Sequence, residues 1–121
     1  MIKFYGYKKC STCRQAEKYL TKNRIEFTFY DITVAPPPEK ILKSLIKSSE
    51  LELKEWFNRS GVVYREQNFK EKMKTSSEAQ LISDLSNNGK LIKRPLVYDD
   101  NDLTKSTVGF KDKFIQTWKS K

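Results

Sequence analysis

Cys10 and Cys13 are separated by two residues, with Lys8 and Lys9 before them and Arg14 directly after. That spacing suits thiol–disulfide chemistry. A sulfur placed where a helix begins gains from unpaired backbone N–H groups and from the positive end of the helix dipole, and neighbouring cations add to both. Cys10 is therefore the expected nucleophile, with its pKa below that of a free thiol. Cys13 reaches the first sulfur around one helical turn, so it can resolve a mixed disulfide on Cys10 and leave a Cys10–Cys13 bond. Two other readings of a lone CxxC stay open: a pair of inert thiols, since free cysteine often behaves as a small buried hydrophobe, and a zinc site completed by unusual ligands or a second chain. Histidine is absent, which removes Ser-His-Asp triads, Cys-His pairs and Cys/His-ligated structural zinc. The chemistry expected of Cys10 and Cys13 needs no cofactor and no metal.

The elements that must hold these residues follow from hydrophobic spacing. Met1 to Tyr5 has strand composition and stops at Gly6. From Ser11, Cys13, Ala16 and Leu20 recur at helical spacing, and the helix is expected to end near Asn23. Ile25 to Ile32 alternates as a second strand. A strand–helix–strand opening makes parallel neighbours with a right-handed crossover. Ala35-Pro36-Pro37-Pro38 is a stiff break, because each proline fixes its own backbone and disfavours helix in the residue before it. Beyond it, Ile41, Leu42, Leu45 and Ile46 mark one helix face, and Leu51, Leu53, Trp56 and Phe57 a short second one. Tyr64 to Glu66 and Asn68 to Lys74 look like a solvated, charged helical stretch, although Arg59 and Arg65 could face the thiols. Thr75 with Glu78 fits a capping box ahead of Leu81, Ile82 and Leu85, and Asn88-Gly89 stops that helix. Leu91 to Tyr98 returns to strand, with Arg94-Pro95 at its start. Asp99 to Asp102 forms a polar turn rather than a metal site, Lys105 to Val108 pairs across it, and Lys111 to Lys119 closes as a helix with Phe114, Ile115 and Trp118 on one face. Trp56, Phe57 and Trp118 read as core.

The chain has 121 residues, 37% of them hydrophobic, which fits one domain with a helical subdomain over about 36–90. With 32% charged residues and a mean hydropathy of −0.72, it reads as a soluble globular protein. No run approaches the roughly 20 apolar residues of a membrane span, and lysines interrupt the start before a signal-peptide core can form. A cytoplasmic monomer is expected, with no membrane partner. The formal net charge is +9, with seven basic against two acidic residues over 1–30 and seven against four over 91–121. The excess at the two ends favours anions, whether a thiolate, an oxyanion, an acidic protein patch or nucleic acid. No recognition-helix signature supports direct sequence-specific DNA binding.

Four segments in order, MIKFYGYKKCSTCRQAEKYL, EWFNRSGVVYRE, NNGKLIKRPLVYDD and STVGFK, resemble the arsenate reductase family in its Spx-type branch, across essentially the whole chain. The resemblance implies an α/β, thioredoxin-like (glutaredoxin-like) fold with a four-stranded mixed sheet and a helical insertion between the second and third strands. It also implies that Arg94-Pro95 lies beside Cys10, with the proline cis. Glutaredoxin-coupled arsenate reductases attack arsenate with a cysteine matching Cys10 and bind the oxyanion with three arginines, of which Arg94 matches one. Here Lys111 stands where those enzymes place an arginine, and Asn58 stands at the third position with Arg59 one step along. Lysine keeps the charge but not the planar fork that grips an oxyanion, so low or no arsenate turnover is expected. Spx-type regulators carry a CxxC matching Cys10 and Cys13, use disulfide formation as a switch and bind the RNA polymerase α subunit.

Two functions follow: a reductase-like oxidoreductase, with glutathione/glutaredoxin or thioredoxin as electron donor, and a redox-sensing regulator. In the first, Cys10, Cys13 and Arg94 are the candidate catalytic residues, while Arg14, Pro95 and Lys111 are the candidate substrate-binding ones.

Overall fold

The computed structural model of the chain describes residues 1–119. Strand β1 (Ile2–Gly6), helix α1 (Ser11–Lys22) and strand β2 (Phe27–Asp31) come first. Helix α2 (Glu39–Ser48), a 3-10 turn at Leu53–Trp56, helices α3 (Val62–Glu66), α4 (Phe69–Thr75) and α5 (Glu78–Asn87), and a second 3-10 turn at Gly89–Leu91 follow. Strands β3 (Leu96–Asp99) and β4 (Asp102–Val108) and helix α6 (Asp112–Thr117) complete the order. The four strands make one sheet, ordered β2-β1-β3-β4. β1 is parallel to β2, with Phe4 opposite Phe29, and antiparallel to β3, with Phe4 opposite Val97; β3 and β4 are antiparallel. This is the thioredoxin-like sheet with its helical insertion between the second and third strands.

Alternation along β1 and β3 sends side chains to opposite faces and so divides the core in two. Phe4 and Val97 pack with Cys13, Ala16 and Leu20 of α1 and with Phe114 and Trp118 at the end of the chain. Tyr5, Leu96 and Tyr98 face the other way, into the insertion's Leu42, Leu45, Trp56, Phe57 and Leu85. Each such side chain contributes about 1.5–3 kcal/mol on burial, so the insertion stabilises one face of the sheet as α1 and α6 do the other. Both layers are braced by aromatic rows along the strands: Phe4 lies 5.4 and 5.5 Å from Phe27 and Phe29, and Tyr5 lies 4.8 Å from Tyr30 and 5.9 Å from Tyr98. Trp118 is fixed by its indole N–H, which donates to the Thr107 hydroxyl at 2.8 Å.

Several expected boundaries are corrected by local hydrogen bonding. The second strand is shorter than Ile25–Ile32, because the Ile25 N–H donates back to the Leu20 carbonyl at the end of α1. The strand expected from Leu91 begins only at Leu96, since Gly89–Leu91 turns tightly and Ile92 pairs instead with Phe57. Thr75 ends α4, and its hydroxyl turns back to the Glu71 carbonyl; Ser77 caps α5 by accepting from the Gln80 N–H. The stretch read as a solvated helical turn is two helices, α3 and α4, and buries Phe69 in the core. Ile115 faces outward at 40% exposure, leaving Phe114 and Trp118 as the buried pair at the end of the chain. Asp99 to Asp102 forms the turn between β3 and β4, as expected.

Candidate functional site

Cys10 stands directly before α1 with extended backbone (φ −81°, ψ 119°). Its own N–H donates to the Tyr7 carbonyl at 3.0 Å, which closes the loop leaving β1. The sulfur makes no hydrogen bond of strict capping geometry, yet the N–H groups of the first helical turn still favour its charge. Burial on its own would raise the Cys10 pKa. The Cys13 N–H and thiol, the Arg94 guanidinium and the Thr12 N–H together outweigh that, and the thiol lies below its ordinary value.

Cys13 is the opposite case. Its residue is fully buried, and burial pushes its thiol up to about 12, aided by the hydrogen bond to Cys10 and that neighbour's charge, while the Tyr7 N–H and Arg94 pull the other way. Both cysteines are free in this structure, and their acidities are displaced in opposite directions. Gly6 makes this packing possible: a side chain there would place Cβ 3.0 Å from the Cys13 sulfur and 2.7 Å from the Phe4 ring.

Arg94 is brought to the thiols by the insertion. Phe57 pairs with Ile92, the Asn58 N–H donates to Leu91 at 2.7 Å, and the Lys93 N–H donates to Trp56 at 2.9 Å. This backbone strap runs straight into Arg94, which is half-buried, and into a cis bond to buried Pro95. The Pro95 carbonyl accepts from the Gly109 N–H at 2.9 Å, so the segment ending in Lys111 lies alongside it.

The remaining sequence candidates are placed differently. Arg14 is exposed on α1, and the leading positive charge on both thiols is Arg94, not Arg14 or the lysines before Cys10. Lys8 pairs with Glu17 at 3.0 Å and lies 4.0 Å from the Phe29 ring. Lys111 is exposed at the start of α6 and acts on Lys93. A cavity of about 790 Å³ lies at the other end of the sheet, lined by Met1, Arg24, Asp99 and Trp118 among others, and contains neither cysteine.

Two contributors were not identified from the sequence: the Tyr7 N–H and the missing side chain of Gly6. Gly6 carried a signal, since a glycine just ahead of a CxxC permits close helix–strand approach. A backbone N–H carries none.

Replacing Arg94 by glutamine removes the leading positive charge acting on both sulfurs. Alkylation of Cys10 by iodoacetamide at neutral pH is expected to slow by about three- to tenfold, with the pH profile moved upward. Arg94→Lys should recover part of the loss. A profile identical to the parent's would refute this electrostatic role.

The comparisons with known proteins agree with this architecture. The ArsC family model matches residues 5–118. The Bacillus subtilis (strain 168) protein YusI is 45% identical over 118 residues, covering 97% of this chain and 98% of its own. The global transcriptional regulator Spx of Streptococcus pyogenes serotype M3 is 23% identical over 125 residues, covering 100% of this chain and 87% of its own. Among solved structures, that of a possible arsenate reductase from Streptococcus mutans UA159 superposes with a TM-score of 0.84 at 36% identity, covering 92% of each chain. With the family model spanning nearly its whole length, the sheet, the CxxC helix and the Arg94-Pro95 segment all in place, the chain belongs to the ArsC family.

Proposed function

We propose that this chain is a dithiol–disulfide redox protein in which Cys10 is the nucleophile and Cys13 the resolving thiol. What supports it best is the placement of Cys10, partly exposed directly before α1, against Cys13, fully buried in the first turn of that helix, with the two thiols displaced in opposite directions, Cys10 downward and Cys13 up to about 12. Environments that push a pair of titratable groups apart assign them different roles.

In the first step the Cys10 thiolate attacks one sulfur of a disulfide RS–SR. The S–S bond breaks, RS⁻ leaves and takes up a proton, and Cys10 becomes a mixed disulfide. Cys10 then no longer carries the charge, nor accepts the hydrogen bond, that kept the Cys13 proton in place. Burial still opposes ionisation of Cys13, but the Tyr7 N–H and Arg94 favour it. Cys13 loses its proton and attacks the Cys10 sulfur; a Cys10–Cys13 bond forms and the second RSH departs. Two electrons pass from the protein to the substrate, and a glutathione/glutaredoxin or thioredoxin system returns them. Arg94 steers an anionic group and lowers the cost of the thiolate, while Pro95 presents its backbone to the substrate and Arg14 and Lys111 add charge at the periphery. With Lys111 and Asn58 in place of arginines, arsenate is a poor substrate.

The test is stoichiometric oxidation of the reduced protein by bis(hydroxyethyl) disulfide. The expected result is loss of two thiols per chain, with a rate that falls as pH drops through the lowered Cys10 pKa, because only the thiolate attacks. Loss of no thiols, or a rate that follows an ordinary thiol's titration, would remove the proposal.

The match to Spx over the full length of this chain supports a second reading, a redox-sensing regulator that docks on the RNA polymerase α subunit. Pull-down with the purified α subunit, with and without oxidant, decides it: binding that changes with the Cys10–Cys13 bond supports the regulator, and no binding in either state rules it out.

A further inference from the structure

The cavity of about 790 Å³ lies at the opposite end of β1 from the thiols. Met1 and Ile2 line it, whereas Gly6 packs against Cys13, and the strand between Ile2 and Gly6 separates the two places by roughly 13 Å. Its volume is that of a small-molecule site. A hollow of about 500 Å³ adjoins it and shares Met1, Arg24, Ile25 and Glu26, so Arg24 stands on the rim between the two.

That rim is cationic. Lys22, Arg24 and Lys105 line the cavity and are exposed, with Lys119 beside them. Among the described residues, no carboxylate lies within ion-pair distance of the first three. Of the two carboxylates on the lining, Asp99 is engaged by the Met1 amino group at 3.9 Å, which leaves Glu26 against the cations. Lys105 also lies 5.7 Å from the Trp118 ring and acts weakly on Asp102, outside the cavity. Like charges gathered around one hollow are relieved by an anion placed among them.

Arg24 is held there against its own backbone preference. Helix α1 ends in a Schellman turn, in which the Arg24 N–H donates to the Thr21 carbonyl at 3.1 Å and the Ile25 N–H to the Leu20 carbonyl at 2.9 Å. The turn puts Arg24 in the left-handed region, at φ 58°, where glycine is the usual residue and a side chain costs stability. The charge of Arg24, rather than its fit to the turn, accounts for an arginine on this rim.

We infer that this cavity is a nucleotide site, with the phosphates among Lys22, Arg24 and Lys105 and the nucleoside against Met1, Ile25 and Trp118. Several unpaired cations suit more than one negative charge, and the apolar wall suits a body that a bare phosphate lacks. A nucleoside diphosphate carries both. Neither cysteine lines the cavity, so the site stands apart from the dithiol chemistry.

The experiment titrates the full-length reduced protein with ADP, inorganic pyrophosphate and adenosine at low ionic strength, read by calorimetry and tryptophan fluorescence. ADP is expected to bind with a Kd below about 1 mM, about tenfold or more tighter than either fragment, and to change the emission. Arg24→Gln and Lys105→Gln should each weaken ADP by about three- to tenfold. Lys43→Gln, which removes the same charge from an exposed position on α2, should leave it unchanged. Arg24→Gly should weaken ADP equally while raising the urea midpoint, because glycine relieves the turn. ADP affinity unchanged in the three cavity variants, or lowered as much by Lys43→Gln, would overturn the site. Pyrophosphate binding as tightly as ADP would overturn the nucleotide assignment, since the nucleoside would then contribute nothing. No binding of ADP up to about 1 mM would overturn it outright.

Discussion

Cys10→Ser is expected to lower the rate of disulfide exchange by about a thousandfold or more, since a serine hydroxyl in the same field stays protonated and is a far weaker nucleophile. The fold should survive, because Cys10 is only partly buried and lies at the margin of its cluster. Cys13→Ser should behave differently. The first attack proceeds, but no second sulfur is in reach, so a mixed disulfide accumulates on Cys10 and appears as a mass adduct of one substrate thiol per chain. Intact-mass measurement after a substrate quench distinguishes the two. An adduct on Cys10→Ser, or none on Cys13→Ser, would reverse the assigned roles. The serine at 13 also replaces a fully buried thiol beside Phe4 and Gly6, so a folding control by circular dichroism accompanies the assay.

The second large effect concerns backbone. A Cβ at Gly89 would overlap the Ile32 carbonyl where the end of the insertion meets the end of β2, and a backbone group cannot rotate aside as a side chain does. Gly89→Ala is expected to destabilise the chain by about 3 kcal/mol or more, at the upper end of overpacking costs. Urea unfolding checks it, with a drop in midpoint at an unchanged slope. Because Gly89–Leu91 leads through Ile92 and Lys93 to Arg94, the surviving folded fraction should also show slower Cys10 alkylation. A midpoint within experimental error of the parent would show that the contact relaxes freely.

The hydrophobic period carried most of the fold. Cys13, Ala16 and Leu20 predicted the buried face of α1, and Leu81, Ile82 and Leu85 that of α5. Illegible were features set by tertiary hydrogen bonds. Leu91 to Arg94 is apolar and basic enough to pass for the start of a strand, yet its partner is Phe57 in the insertion rather than another strand of the sheet. At the thiols, the closeness of Cys10 to Cys13 was visible from spacing, and helix placement from the periodicity behind it. The source of the positive charge was not: Lys8, Lys9 and Arg14 are near in sequence, but Lys8 turns to Glu17 and Phe29, and the leading charge comes from Arg94, more than eighty residues on. Spacing reports neighbours along the chain, whereas a side chain's field depends on where it points.

The strap between Trp56 and Lys93 means that the cation acting on Cys10 is on loan from the inserted helices. A minimal version of the protein, made by joining the end of β2 directly to β3, would keep both sulfurs and the helix that carries them, yet lose the scaffold that aims the guanidinium. On the proposed dithiol chemistry the insertion is thus part of the reactive apparatus, and swapping it between homologues amounts to retuning the acidity of the site.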